Sequence, residues 1–237
     1  MTEFIRLTAE NGVAHIRMDD GKVNALSRAR VDALSEAVSR AAELDQAILI
    51  SGRAGLFSAG FDLKELTAGP DVALQLLRAG ARLCEKLLAH HRPVVSACGG
   101  HAYPMGAFLL LSSDERIGAE GDYRIGLNEV AIGIAVPQFA LTLARFRLTP
   151  AAYSRTATTA HMYSPAEAVG AGFLDFVCPA AQLEARALER VRQLAAYNAS
   201  AFARTKAAVR GPVLEALRRA IDEELTMQHM QASPQAG

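Results

Sequence analysis

Residues 57–66 read Phe57-Ser58-Ala59-Gly60-Phe61-Asp62-Leu63-Lys64-Glu65-Leu66, and both the fold and the chemistry turn on them. The run Ala47-Ile48-Leu49-Ile50 leads toward this stretch. Four apolar residues in a row are the signal of a buried strand. Ser-Ala-Gly then places small side chains where backbone must approach something closely, and Gly60 is free to adopt a positive φ. The residue after such a glycine can turn its N–H outward. At most turns that amide is structural detail, but at the mouth of a pocket it can stabilise an oxyanion.

A second turn of the same kind lies further on. Pro93-Val94-Val95-Ser96-Ala97-Cys98 reads as another buried strand, broken at Gly99-Gly100 and followed by an apolar helix over residues 105–112. Pro104 suits the first helical position, because the N–H it lacks has no intrahelical partner there. Met105 and Gly106 then carry free amides at the positive end of the helix dipole. Strand ends that share one edge of a sheet bring their loops together. Two amides, one from each loop, can therefore converge on a single oxygen. The candidate acid or base is Glu129, in Gly126-Leu127-Asn128-Glu129-Val130-Ala131-Ile132-Gly133, with no other charge between Arg124 and Arg145. A carboxylate so placed is desolvated and its pKa rises, which suits a proton shuttle near neutral pH. The alternative is a helix-start glutamate facing water.

The remaining chain reads as α/β followed by a mainly helical last third. Glu10-Asn11-Gly12 between two alternating runs is a hairpin signature. Ser27 is a candidate N-cap for a helix whose apolar positions are Val31, Leu34, Ala37, Val38 and Ala41. A helix is expected over residues 72–89, with strands near 115–118, 123–127 and 174–177. From residue 180 the pattern is helical, interrupted at Asn198 and at Gly211-Pro212, and the polar tail over 232–237 is expected to fray. His90-His91 reads as a helix C-terminal cation or cap. Asp114-Glu115 and Glu120-Asp122 read as turn acids. Arg204, Lys206, Arg210, Arg218 and Arg219 read as a solvated helix face or, alternatively, a contact for an anionic ligand. His15 and His161 lack metal-ligand spacing.

Composition narrows the function class. Lys plus Arg and Asp plus Glu number 25 each in 237 residues, so no global field attracts nucleic acid or a membrane surface. No apolar run reaches the length of a membrane span and no secretory segment is evident. Cys84, Cys98 and Cys178, odd in number and in apolar contexts, read as reduced core residues rather than a disulfide framework. These features lead to the expectation of a soluble cytoplasmic protein.

Taken together, the motifs resemble the crotonase superfamily, the enoyl-CoA hydratase/isomerase family. The segment Lys22-Val23-Asn24-Ala25-Leu26-Ser27 resembles its first CoA-contacting stretch, and residues 57–66 resemble its Phe-x-Ala-Gly-x-Asp-Leu/Ile-Lys signature. Residues 99–114 resemble its second loop and helix, and Ser164-Pro165-Ala166-Glu167-Ala168 with Gly172-Phe173-Leu174-Asp175 resembles its Ala-x-Glu-Ala…Gly-Leu-Val-Asp stretch. The resemblance implies an α/β spiral of ββα units over residues 1–178. It also implies a helical region over 179–237 that trimerises, giving a homotrimer or a dimer of trimers.

The resemblance further implies a CoA thioester as substrate, with coenzyme A part of the substrate rather than a separate cofactor, and no metal. Its carbonyl oxygen would be held by the backbone amides of Phe61 and Met105 as a thioester enolate. The substrate would lie along Lys22, Val23, Ala25, Ser58, Ala59, Gly60, Phe61, Asp62 and Leu63, reaching Met105, Gly106 and Phe108. Hydratases of the family use two glutamates. The second is present as Glu129, but the first falls on Phe108, which can neither hold nor activate water. One glutamate is the pattern of Δ3,Δ2-enoyl-CoA isomerases, which move a double bond with a single proton shuttle. Pro104-Met105 stands where relatives carry a glycine run, so the Met105 side chain must point away or narrow the acyl channel. Gly99-Gly100-His101 stands for the usual Asn-Gly. His101 or Tyr103 could supply a second acid–base group for a hydratase, a decarboxylase or a thioesterase. A catalytically silent acyl-CoA-binding subunit is the third alternative.

Overall fold

The chain begins with the hairpin its sequence signals. A computed structural model describes residues 4–228, so the tail expected to fray lies outside the described residues. Strands β1 (Ile5–Glu10) and β2 (Val13–Met18) pair antiparallel around Asn11 and Gly12, both at positive φ (51° and 74°). This turn carries the twist that suits two antiparallel strands. Helix α1 (Arg28–Glu43) starts at Ser27, whose hydroxyl accepts the Arg30 N–H at 3.4 Å, and buries the expected stripe. Next come β3 (Ala47–Ser51), β4 (Gly55–Ser58), the short α2 (Leu63–Leu66) and α3 (Pro70–Ala89). The middle of the chain supplies β5 (Val94–Cys98), β6 (Gly100–Ala102), α4 (Pro104–Ser112), β7 (Glu115–Ala119) and β8 (Ile125–Gly126). After a 3₁₀ turn (Val130–Ile132) follow α5 (Gln138–Arg147), α6 (Pro150–Thr159), β9 (Met162–Tyr163), α7 (Pro165–Ala171) and β10 (Phe176–Cys178). Helices α8 (Leu183–Ala195) and α9 (Ala199–Arg219) and a π turn (Ala220–Glu224) complete the described chain.

Two sheets result. The larger runs β1-β2-β3-β5-β7-β10 and is parallel from β2 onward. Its β3 is buried along its whole length because both faces are covered, and four of its five residues are apolar. Ala47 and Leu49 pack toward Leu183, Ala187, Val191 and Leu194 of α8, whereas Ile48 and Ile50 belong to the main core shared with α1 and α3. The smaller sheet runs β4-β6-β8-β9, with β4, β6 and β8 parallel. That parallel trio sends the loops after β4, β6 and β8 out of one edge, the arrangement that gathers residues into a site.

Helix α9 differs from its sequence reading, since it runs through Gly211-Pro212 without a break. Pro212 and Ala208 are both exposed, so the carbonyl deprived of its partner faces solvent. Lys206, Arg210, Val213, Leu214 and Leu217 meanwhile bury the helix on both sides of the proline. Asn198 does mark a boundary, capping α9 by accepting the Ala201 N–H. The strand expected over 174–177 begins at Phe176, and the one expected over 123–127 shrinks to Ile125–Gly126. Among the described residues no helix is long and apolar enough to cross a membrane. Cys84, Cys98 and Cys178 are all free and buried.

Candidate active site

Three segments meet beside the small sheet: residues 22–26, 58–62 and 103–106. Gly60 takes φ 92°, the left-handed region its glycine permits. A Cβ built on it would sit 3.5 Å from the Met105 nitrogen, so the two glycine turns touch. Their backbones are tied as well, since the Tyr103 N–H donates to Ser58 O at 3.0 Å. Phe61 forms a lone parallel bridge with Leu26, in which Leu26 N–H donates to Gly60 O and Asp62 N–H to Leu26 O. Those bonds use the amides on either side of Phe61 and leave the Phe61 N–H without a backbone acceptor among the described residues. Pro104 occupies the first helical position of α4, so the Met105 N–H lies in the first turn, where no intrahelical acceptor exists. Two such amides from touching loops can hold one anionic oxygen.

The side chains of these two residues point into the core rather than into the loops' mouth. Phe61 is 9 % exposed and Met105 fully buried. Both lie against Gly80 of α3, where an added Cβ would be 2.6 Å from Phe61 Cε1 and 3.2 Å from Met105 Sδ. Of the other expected contact residues, Lys22, Val23 and Leu63 are exposed, Ala25, Ala59 and Asp62 half-buried, and Ser58, Gly60 and Gly106 buried. Asp62 caps α2 by accepting the Lys64 N–H.

Glu129 follows β8, the third strand of the parallel trio, and precedes the 3₁₀ turn. Its residues 130–133 are exposed, yet Glu129 itself is only 6 % exposed. Neither carboxylate oxygen has a hydrogen-bond partner among the described residues. Burial therefore pushes its pKa up to about 7. Phe108 lies one turn beyond Met105 on α4 and packs edge-on against Phe139 of α5, ring centroids 5.5 Å apart. The two rings form an apolar wall that offers no acid–base group. His101 accepts the Arg124 N–H on Nδ1 and lies between Tyr103 and Tyr123, so one ring nitrogen is already committed.

The late basic residues divide. Arg204, Arg218 and Arg219 are exposed, but Lys206 and Arg210 are buried, contrary to a solvated face. Their anion is internal: Asp114 receives Lys206 Nζ at 2.7 Å, Arg210 at 2.6 Å and the Val94 N–H at 2.7 Å. Asp114, a turn acid between α4 and β7 as the sequence suggests, is thus the half-buried centre of an ion cluster whose two cations are buried. His90 is likewise no cation, because burial drives its pKa down to about 4 and its ring bonds to Gln46 O. Two grooves of about 540 and 460 Å³ flank α9, and neither is lined by Glu129, Phe61 or Met105.

The profile of the enoyl-CoA hydratase/isomerase family matches residues 8–236. The chain belongs to that family. A structure described as an enoyl-CoA hydratase/isomerase family protein from Pseudomonas syringae superposes with a TM-score of 0.92 at 38 % identity, over 96 % of this chain and 98 % of that one. Human mitochondrial enoyl-CoA delta isomerase 1 is 32 % identical over 84 % of this chain and 68 % of its own length. A probable enoyl-CoA hydratase of Bacillus subtilis is also 32 % identical, over 86 % of this chain and 80 % of its own. The family gives an acyl-CoA enzyme of crotonase type and leaves isomerase and hydratase equally near.

Proposed function

We propose that the chain is a Δ3,Δ2-enoyl-CoA isomerase. The observation that carries this reading is the buried carboxylate of Glu129, without a hydrogen-bond partner among the described residues and poised near neutrality, together with an apolar Phe108–Phe139 pair at the other acid position. In its carboxylate form Glu129 takes a proton from C2 of a 3-enoyl thioester. The released electron pair moves into the thioester carbonyl, and the Phe61 and Met105 amides receive the enolate oxygen. One such donor typically contributes on the order of 3 kcal/mol to lowering the barrier. Glu129 then returns the same proton at C4, the electron pair leaves the oxygen, and the double bond rests between C2 and C3. No water enters the balance, which agrees with phenylalanine at position 108.

The nucleotide half of the substrate lies along residues 22–25 and 58–63 in this reading, and the assembly is a homotrimer or a dimer of trimers. The direct test follows conversion of a 3-enoyl-CoA to the 2-enoyl-CoA by wild type and Glu129→Gln, with light scattering for the assembly. Equal rates for the two proteins sink the assignment. Water addition is the second reading, favoured by the name of the Bacillus subtilis relative. It would draw its second acid–base group from His101 or Tyr103. Product analysis on 2-enoyl-CoA distinguishes it: hydration abolished by His101→Ala would favour the hydratase.

A further inference from the structure

Asn24 stands out in the loop that faces the nucleotide. It is fully buried in a segment where Lys22 and Val23 are exposed, and it adopts φ 48°, a left-handed conformation that asparagine tolerates better than most residues. All of its polar groups are used. Its backbone N–H donates to Asp20 Oδ1 at 2.9 Å, and its own Oδ1 accepts the Asp20 N–H at 2.9 Å. Its Nδ2 donates to Met18 O at 3.0 Å and to Phe57 O at 3.2 Å. Its carbonyl accepts the Ser58 hydroxyl at 2.8 Å, and that hydroxyl in turn accepts the Gly60 N–H at 3.1 Å. On the far side, Arg30 clamps the loop by donating to Asp20 Oδ2 and to Ala25 O.

These bonds form a continuous path from the exposed loop to the Gly60 N–H, one peptide before the one that carries the Phe61 N–H. Val23 adds to it by accepting the Ala59 N–H at 3.0 Å. A rigid path of this kind matters because substrate binding remote from the reacting atoms speeds chemistry only when it improves the transition state. We propose that Asn24 is a positioning residue that links occupation of the 22–25 loop to the placement of the Phe61 amide. The nucleotide half of the substrate then raises kcat as well as lowering KM. This rests on the acyl-CoA reading above and assigns Asn24 no contact with the reacting atoms.

The experiment compares one 3-enoyl chain carried on CoA and on pantetheine, which lacks the nucleotide. Wild type is expected to turn over the CoA thioester roughly tenfold faster at saturation. Asn24→Gly keeps access to the left-handed backbone and removes both Nδ2 bonds. Its kcat on the CoA thioester should fall to the pantetheine level, so that the roughly tenfold ratio between the two substrates drops below about threefold. Ser58→Ala, which removes the hydroxyl between Asn24 O and Gly60 N–H, should compress the ratio in the same way and carries the test if Asn24→Gly does not fold. A purely structural role would lower both substrates by one factor and leave the ratio intact. That result in a folded variant overturns the link while the isomerase reading stands. Wild-type turnover on neither thioester overturns both.

Discussion

Asp114 is a half-buried carboxylate and Glu129 a buried one, and the protein treats them in opposite ways. Asp114 receives a backbone amide, a lysine and an arginine, and so ties the start of β5 to α9. Glu129 receives no hydrogen bond from another residue among those described, although the surrounding loop is open to solvent. A satisfied buried carboxylate holds structure. An unsatisfied one costs stability, retains its proton to near-neutral pH and is available for proton transfer. The contrast separates function from scaffold better than burial alone, since Glu129 is the more deeply buried of the two and the one left without a partner among the described residues.

Breaking each side of this contrast gives different readouts. The largest effect is expected in turnover: Glu129→Gln should lower isomerisation by about 10²–10⁴-fold, the usual span for a general base. With Glu129 as the proposed base the active form is its carboxylate, so kcat/KM should rise with pH and level off above about pH 7. A flat profile between pH 5 and 9 would remove Glu129 from the role. Next is Asp114→Asn, which leaves Lys206 and Arg210 buried without their anion. Denaturant unfolding should show a loss of about 3–5 kcal/mol, and a loss below about 1 kcal/mol would mean that the cluster is relaxed by water.

The third effect has the opposite sign. Because burial raises the Glu129 pKa, the folded state binds its proton more tightly than the unfolded chain does. Its contribution to stability is therefore full below about pH 4.5 and is lost as pH rises through about 7. Glu129→Gln should stabilise the fold by about 3 kcal/mol above pH 7 and by nothing near pH 4. Equal unfolding midpoints at both pH values would contradict the buried, unpaired state. The smallest effect is Phe108→Leu, expected to cost about 1 kcal/mol of stability. It should leave isomerisation within threefold, as measured by the same unfolding and rate assays.

The sequence made one side of the contrast more legible than the other. The strand–glycine turns, the lone Glu129 and the phenylalanine at position 108 are local patterns, and local patterns survive without a structure. The sequence places Asp114 in a turn but hides its role, because its partners Lys206 and Arg210 lie more than ninety positions away, a distance no spacing rule spans. Lys206 and Arg210 were misread for the same reason, since helical periodicity marks charged positions as outward unless a buried anion is known. Pro212 looked like a break because the exposure of the freed carbonyl, which makes it tolerable, is a property of the folded helix. Gly80 carried no signal, because its importance arises from Phe61 and Met105 packing where its side chain would be.

That glycine has a consequence for how the chain can change. Bulk at position 80 competes for the same space as the two residues whose amides form the candidate oxyanion pair, so a methyl group there would be read out in chemistry although it touches no ligand. The two positions should trade volume: Gly80→Ala alone damages the site, and Phe61→Leu beside it restores room. A library randomised at 61, 80 and 105 together would therefore recover active combinations that randomising each position singly discards.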